Sequence, residues 1–252
     1  MSQLFHGAGV ALVTLFHDDG AIDPGATAGL AAELADRGMR AVLVAGTTGE
    51  AATLSNAERG ELIGAVREAV PPGVPVIAGT GAPSARQAVE LTGQAVAAGA
   101  DAVLAWPPPG DQAEYFKAVA TAAQGRPVLA YHFPRLFPPG VPVDRLAGLP
   151  VAGQKDSSGD PDRLLDELAH YPGATYVGSS AVLALAGPMG AAGALLALAN
   201  IAPEGCAAAF AGDAAAQRAL AGRHLATSRG GVPALKRLLA QERGLPATTR
   251  AG

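Results

Sequence analysis

The chain is poor in cysteine, lysine and aromatic side chains, and each scarcity narrows what it can be. A single cysteine, Cys206, leaves no partner for an internal disulfide and no thiolate cluster for zinc. Lys and Arg together number 18 against 22 Asp and Glu, a net charge of −4, and the arginines are scattered with no basic tail. Such a balance offers no general attraction to nucleic acid or to an anionic membrane surface. Uninterrupted apolar runs of spanning length are also missing. The Ala/Gly-rich stretch 181–199 is broken by Gly187-Pro188-Met189-Gly190, and alanine contributes little free energy of insertion, so it reads as a buried helix, turn and strand. The opening residues MSQLFHGAGV lack the charged start and apolar core of a signal peptide. A cytoplasmic protein with no nucleic-acid and no membrane partner is expected. No G-x-G-x-x-G follows the first apolar run, and GTGAPS at 79–84 lacks the lysine of a phosphate loop.

What the chain does have is apolar material, 49% of its 252 residues, enough for one large core. Short apolar runs at 10–16, 41–45, 74–79, 102–106, 128–133, 151–155, 175–178 and 194–199 read as strands. Helix-compatible stretches lie between them, at 25–36, 56–70, 84–98, 112–123, 143–146, 161–170 and 181–189. Ser55 with Glu58 three residues on forms a capping box, and Asp160-Pro161 supplies an N-cap followed by proline in the first turn. Alternation of this kind implies parallel strands covered by helices. Eight strands fit an α/β (β/α)8 TIM barrel over residues 1–212, with an open doubly wound sheet as the rival. Residues 213–252 read as a helical segment of two helices, 213–226 and 232–242, packing on the barrel or on a neighbouring subunit.

In a barrel, chemistry gathers at the C-terminal ends of the strands. There stand GTTG after the second strand, Tyr131 in the fifth and Lys155, one of only three lysines, ending the sixth. Side chains alternate along a strand, so an inward Lys155 has Gly153 on its own face, leaving space beneath it, and turns Gln154 and Asp156 toward the helices. An amine at such an apolar rim is expected to titrate low and to be available as a nucleophile toward a ketone. Tyr131 can shuttle the protons of carbinolamine formation. Gly46, Thr47 and Thr48 present backbone N–H groups and hydroxyls suited to a carboxylate. Each also has a plain reading, as a solvated or paired lysine, a core tyrosine and a tight turn. It is their convergence on one face that favours chemistry.

The segments GVALVTLF followed by G-x-I-D, VAGTTGEAATLSNAER, YHFP and GQKDSSGD, in this order and spacing, resemble the dihydrodipicolinate synthase / N-acetylneuraminate lyase family of class I aldolases from about residue 8 to 245. The resemblance implies a barrel, a homo-oligomer (dimer or tetramer), and no metal or organic cofactor. Lys155 would form the imine with pyruvate or another 2-oxo acid, and Tyr131 would transfer protons. Thr47 and Thr48 would bind the carboxylate, and Gly178 and Leu195 would line the pocket. Two positions depart from the synthases. Trp106-Pro107-Pro108-Pro109-Gly110 stands where a tyrosine pair is usual, and Tyr115 is a poor substitute. Leu136 takes the place of an arginine that binds the second substrate, with Arg135 one position away as its possible replacement. The altered second-substrate residues point to a Schiff-base aldolase or dehydratase acting on a 2-oxo acid such as a 2-keto-3-deoxy sugar acid. The alternatives are 4-hydroxy-tetrahydrodipicolinate synthase, which joins pyruvate to aspartate semialdehyde, and a non-catalytic 2-oxo acid-binding paralogue.

Overall fold

Eight short strands pair in parallel, each with the next in the chain, and close on themselves. In this computed structural model, which describes residues 3–251, they are β1 (Gly7–Ala11), β2 (Val42–Val44), β3 (Val76–Gly79), β4 (Ala102–Ala105), β5 (Val128–His132), β6 (Gly153–Asp156), β7 (Ala174–Val177) and β8 (Gly193–Leu196). Closure comes from β1 against β8, with Gly7 opposite Gly193 and Val10 opposite Leu196. The rival open sheet is thereby excluded. The barrel interior is filled by side chains such as Ile77, Leu104, Leu129, Tyr176 and Leu195, with Phe5 stacked on Tyr176 at 4.6 Å as the floor. The second and larger core lies between the strands' outer faces and the helices.

The helices are α1 (Pro24–Asp36), α2 (Asn56–Ala69), α3 (Ala85–Ala97), α4 (Gln112–Ala122), α5 (Val143–Leu146), α6 (Pro161–His170), α7 (Leu183–Ala186), α8 (Pro203–Phe210) and α9 (Ala214–Arg243). Their starts follow local chemistry. The Ser55 hydroxyl accepts from Glu58 N and the Glu58 carboxylate accepts from Ser55 N, completing the capping box of α2. Asp160 caps α6 ahead of Pro161. No helix among the described residues is long and apolar enough to cross a membrane.

Three elements differ from the sequence reading. The first apolar run is a strand only to Ala11; residues 12–16 leave the sheet as a buried loop. Their backbone groups find side-chain partners instead: Val13 N donates to Asn200 Oδ1 and Leu15 N to Thr27 Oγ1. An eighth helix, α8, begins at Pro203, in a stretch to which the sequence reading assigns no element. The two tail helices form α9, continuous except at Gly231, whose φ of +60° suits glycine, and Pro233 sits at the start of the second half, where its missing N–H is harmless. Beyond Arg243 the chain leaves the helix and folds back over the end of β2.

Candidate active site

The alternation along β6 is settled by its neighbours. Lys155 pairs across to Tyr131 on β5 and to Tyr176 on β7, all facing the interior. Gln154 and Asp156 face outward to Arg163 of α6. Lys155 is 5% exposed, and its Nζ lies 4.8 Å from the centre of the Tyr131 ring. With no carboxylate beside it, burial alone lowers its pKa to about 7, so the neutral amine is well populated near neutrality. Asp156 is otherwise engaged, accepting from Ser158 N at 2.8 Å and Ser158 Oγ at 2.9 Å.

The space beneath Lys155 is closed, against expectation. A Cβ on Gly153 would meet Ala174 O of β7 at 2.5 Å, so glycine is needed there for the close approach of the two strands. Gly178 answers a similar need at the level of the amine. A Cβ there would stand 2.9 Å from Lys155 Cε and inside the Ser157 hydroxyl. Tyr131 is buried, which pushes its phenol up, while the Ser157 and Thr47 hydroxyls pull it down. Those two hydroxyls belong to the GTTG turn on one side and to the segment after β6 on the other.

Around Lys155 and Tyr131 a cavity of about 520 Å³ opens at the C-terminal rim of the barrel. Thr47, Thr48, Gly178 and Leu195 line it, and so does Arg135. A second cavity of about 750 Å³ meets the same lysine and tyrosine from the side of β2 and β3, with Gly46 and Trp106 in its wall. The turn itself is bounded by two non-glycine residues in the left-handed region, Ala45 at φ +50° and Glu50 at φ +56°. Such a conformation, disfavoured by about 1–3 kcal/mol per residue, persists only where surrounding structure imposes it.

Arg135 reaches the cavity because strand alternation no longer applies there. The strand ends at His132, and Phe133–Phe137 closes as a helical turn, with Phe137 N and Leu136 N both donating to Phe133 O. Leu136 is 49% exposed and lines neither cavity. Trp106 stacks on Phe137 at 4.3 Å, and Phe137 packs against Tyr131 at 5.9 Å, so the indole fills the site's flank in the wall of the second cavity. Tyr115 lies outside both cavities, its hydroxyl accepting from Ala82 N. Sequence reading missed Ser157, and also Ser180 and His224, joined at 2.8 Å in the wall of the first cavity. Burial lowers the His224 pKa, favouring the neutral ring. Its position on α9 depends on how that helix folds back over the barrel, which no local pattern reveals. None of the residues lining the first cavity is acidic. Among the described residues no group of three or more His, Cys, Asp and Glu can hold a metal ion.

Comparison with known proteins places this arrangement. Residues 4–229 match the model of the dihydrodipicolinate synthetase family. The 4-hydroxy-tetrahydrodipicolinate synthase of Thioalkalivibrio sulfidiphilus (strain HL-EbGR7) is 38% identical over 236 residues, 87% of this chain and 80% of that protein. That of Synechococcus sp. (strain WH7803) is 44% identical over 130 residues, but the alignment spans 49% of this chain and only 43% of that protein's length. Among solved structures, the chloride-inhibited dihydrodipicolinate synthase from Acinetobacter baumannii, determined in complex with pyruvate, superposes with a TM-score of 0.88 at 30% identity. That superposition covers 98% of this chain and 92% of the other.

Proposed function

The chain belongs to the dihydrodipicolinate synthetase family, and on that premise we propose that it is a class I lyase in which Lys155 forms an imine with pyruvate. The observation that carries this is a buried amine with a pKa of about 7, packed on Tyr131 in the wall of an open cavity. The neutral amine adds to C2 of pyruvate, and Tyr131 delivers the proton that lets the carbinolamine hydroxyl leave as water. The protonated imine draws electrons from C3, which loses a proton to give an enamine. The enamine carbon then attacks the carbonyl carbon of an aldehyde, and water hydrolyses the resulting imine, restoring the C2 carbonyl and freeing Lys155. Thr47 and Thr48 hold the pyruvate carboxylate. No step requires a metal or organic cofactor.

The curated relatives favour aspartate semialdehyde as the aldehyde, making the reaction that of a 4-hydroxy-tetrahydrodipicolinate synthase. This replaces the sugar-acid lyase that the altered residues had suggested as the leading reading. Arg135 supplies the cation for the semialdehyde's carboxylate that Leu136 cannot. A second reading keeps one specific support: Ser180, Thr227, Ser228 and the neutral His224 line the first cavity with no acid to meet an ammonium group. Such a wall suits a hydroxylated aldehyde, as released from a 2-keto-3-deoxy sugar acid. The deciding experiment measures kcat/KM with pyruvate plus aspartate semialdehyde against cleavage of a panel of such acids. Binding of pyruvate without turnover of either class would leave the non-catalytic paralogue.

Two substitutions probe the roles assigned here. Tyr131→Phe is expected to lower kcat by about 10²-fold or more, the usual range for losing a proton-transfer group, in steady-state assays with pyruvate saturating. Arg135→Ala is expected to raise the KM of an anionic acceptor about tenfold, the scale of a lost charge-assisted hydrogen bond, with the KM for pyruvate unmoved. Equal effects on both substrates would remove Arg135 from the acceptor end. A cytoplasmic homo-oligomer, dimer or tetramer, completes the proposal on the strength of the family resemblance, and sedimentation velocity tests the assembly.

A further inference from the structure

At the end of the turn that lines both cavities, the last residue of the GTTGE motif is buried in an ion pair. Glu50 and Lys236 side chains are both fully buried, with Lys236 Nζ 2.6 Å from Glu50 Oε1. The other carboxylate oxygen accepts from Arg250 N and Ala251 N, each at 2.8 Å. Lys236 Nζ also donates to Thr248 O at 2.7 Å and lies 4.2 Å from the centre of the Phe16 ring. Arg250 approaches the same ring at 4.8 Å and bonds Glu58, Thr53 O and Gly20 O. Residues 248–251 are thereby fastened to the turn after β2 and to the first turn of α2.

That turn needs fastening. Ala45 and Glu50 both hold left-handed backbone conformations that side chains of L residues disfavour. Inside it, Glu50 N donates to Thr47 O and Ala51 N to Gly46 O, while Gly49 O accepts from the Thr14 hydroxyl. Rotating Glu50 out of its conformation would break its bond to Thr47 O and shift Thr47 and Thr48 together. The half of α9 that carries Lys236 also places Val232 and Leu235 in the cavity wall. An apolar plug would anchor the tail as well as an ion pair. What an ion pair adds is direction, because a buried carboxylate with three donors tolerates one orientation.

We propose that Glu50 and Lys236 are positioning residues for the substrate's carboxylate: through Glu50, Lys236 and residues 248–251 hold the 46–50 turn so that Thr47 and Thr48 face the cavity. The assignment rests on the proposed imine chemistry at Lys155 and adds to it a requirement for the segment after α9. It concerns affinity for the 2-oxo acid carboxylate, not the reactivity of the amine.

The test uses the full chain and borohydride trapping at Lys155, read by intact mass across a range of pyruvate concentrations, with acetone as a ketone that lacks the carboxylate. Lys236→Met is expected to raise the half-saturating pyruvate concentration about tenfold or more, since small misplacements of a binding group have effects of that order, while maximal trapping and the acetone curve stay put. Arg250→Ala, at the partly exposed edge of the same clamp, is expected to fold and to shift the pyruvate curve in the same direction by a smaller factor. It decides the matter if Lys236→Met does not fold. Trapping by pyruvate in the unsubstituted protein with no shift in the folded variants overturns this proposal alone. Equal shifts for pyruvate and acetone also overturn it, since they signal general loosening. No trapping in the unsubstituted protein overturns the imine chemistry and the proposal with it.

Discussion

Lys155→Ala is expected to lower turnover by at least about 10⁴-fold, the scale on which a covalent route is lost rather than weakened. It should also leave no adduct after borohydride reduction with pyruvate. The size follows from the absence of a substitute. Of the other two lysines, Lys236 is held in its ion pair with Glu50 and Lys117 is exposed on α4 beside Glu114, and neither lines the cavity around Tyr131. Lys155→Arg should be as inactive, although it keeps the length and charge. A guanidinium stays protonated at every accessible pH and offers no neutral amine. Steady-state kinetics with the folded variants, checked by circular dichroism, measures both. Turnover within about tenfold of the unsubstituted protein would remove the imine from the mechanism.

Legibility in the sequence followed the range of the interactions involved. The faces of β6 were readable in part because strand alternation is local: period two alone sets Lys155 and Asp156 on opposite faces, and the pairing with Tyr131 settles which is inward. The barrel was readable as eight apolar runs separated by capped helices, since caps such as Ser55–Glu58 depend on three residues. Alternation misled where the strand stopped. Arg135, one position from the place of the expected arginine, reaches the cavity because residues 133–137 form a helical turn instead of extended chain. The first strand was set too late because apolar residues 12–16 are as buried as a strand, while their backbone is satisfied by Asn200 and Thr27, partners 187 and 12 residues away. The roles of His224, Lys236 and Arg250 were invisible for the same reason. Each meets a partner distant in the chain, Ser180, Glu50 and Glu58 at separations of 44, 186 and 192 residues, and sequence spacing carries no record of such a contact.

The lysine that makes the site reactive is also expected to destabilise the fold, and replacing it tests the burial directly. In the native protein the Lys155 amine titrates near 7 instead of 10.5. Below pH 7 native and unfolded chains both bind the proton, and the native state carries the full penalty of a buried ammonium. Between pH 7 and 10.5 the unfolded chain still binds it and the native one does not, so this contribution to stability rises with pH. Above 10.5 the penalty is gone. Across that window the difference amounts to roughly 5 kcal/mol. Lys155→Met, apolar and of similar length, should therefore raise the stability of the protein at pH 6–7 by up to that amount. For a chain of this size that is an increase in Tm of about 10 °C, shrinking toward zero as pH approaches 10. Pyruvate should stabilise the parent and not the variant, because only the parent can bind it covalently. In the parent, the rate of adduct trapping should climb with pH to about 7 and then level off, where an ordinary lysine would keep climbing. A Tm gain that ignores pH, or a trapping rate still rising at pH 9, would mean that the amine is charged in the folded state. The nucleophile would then have to be generated by substrate binding, not by the barrel rim.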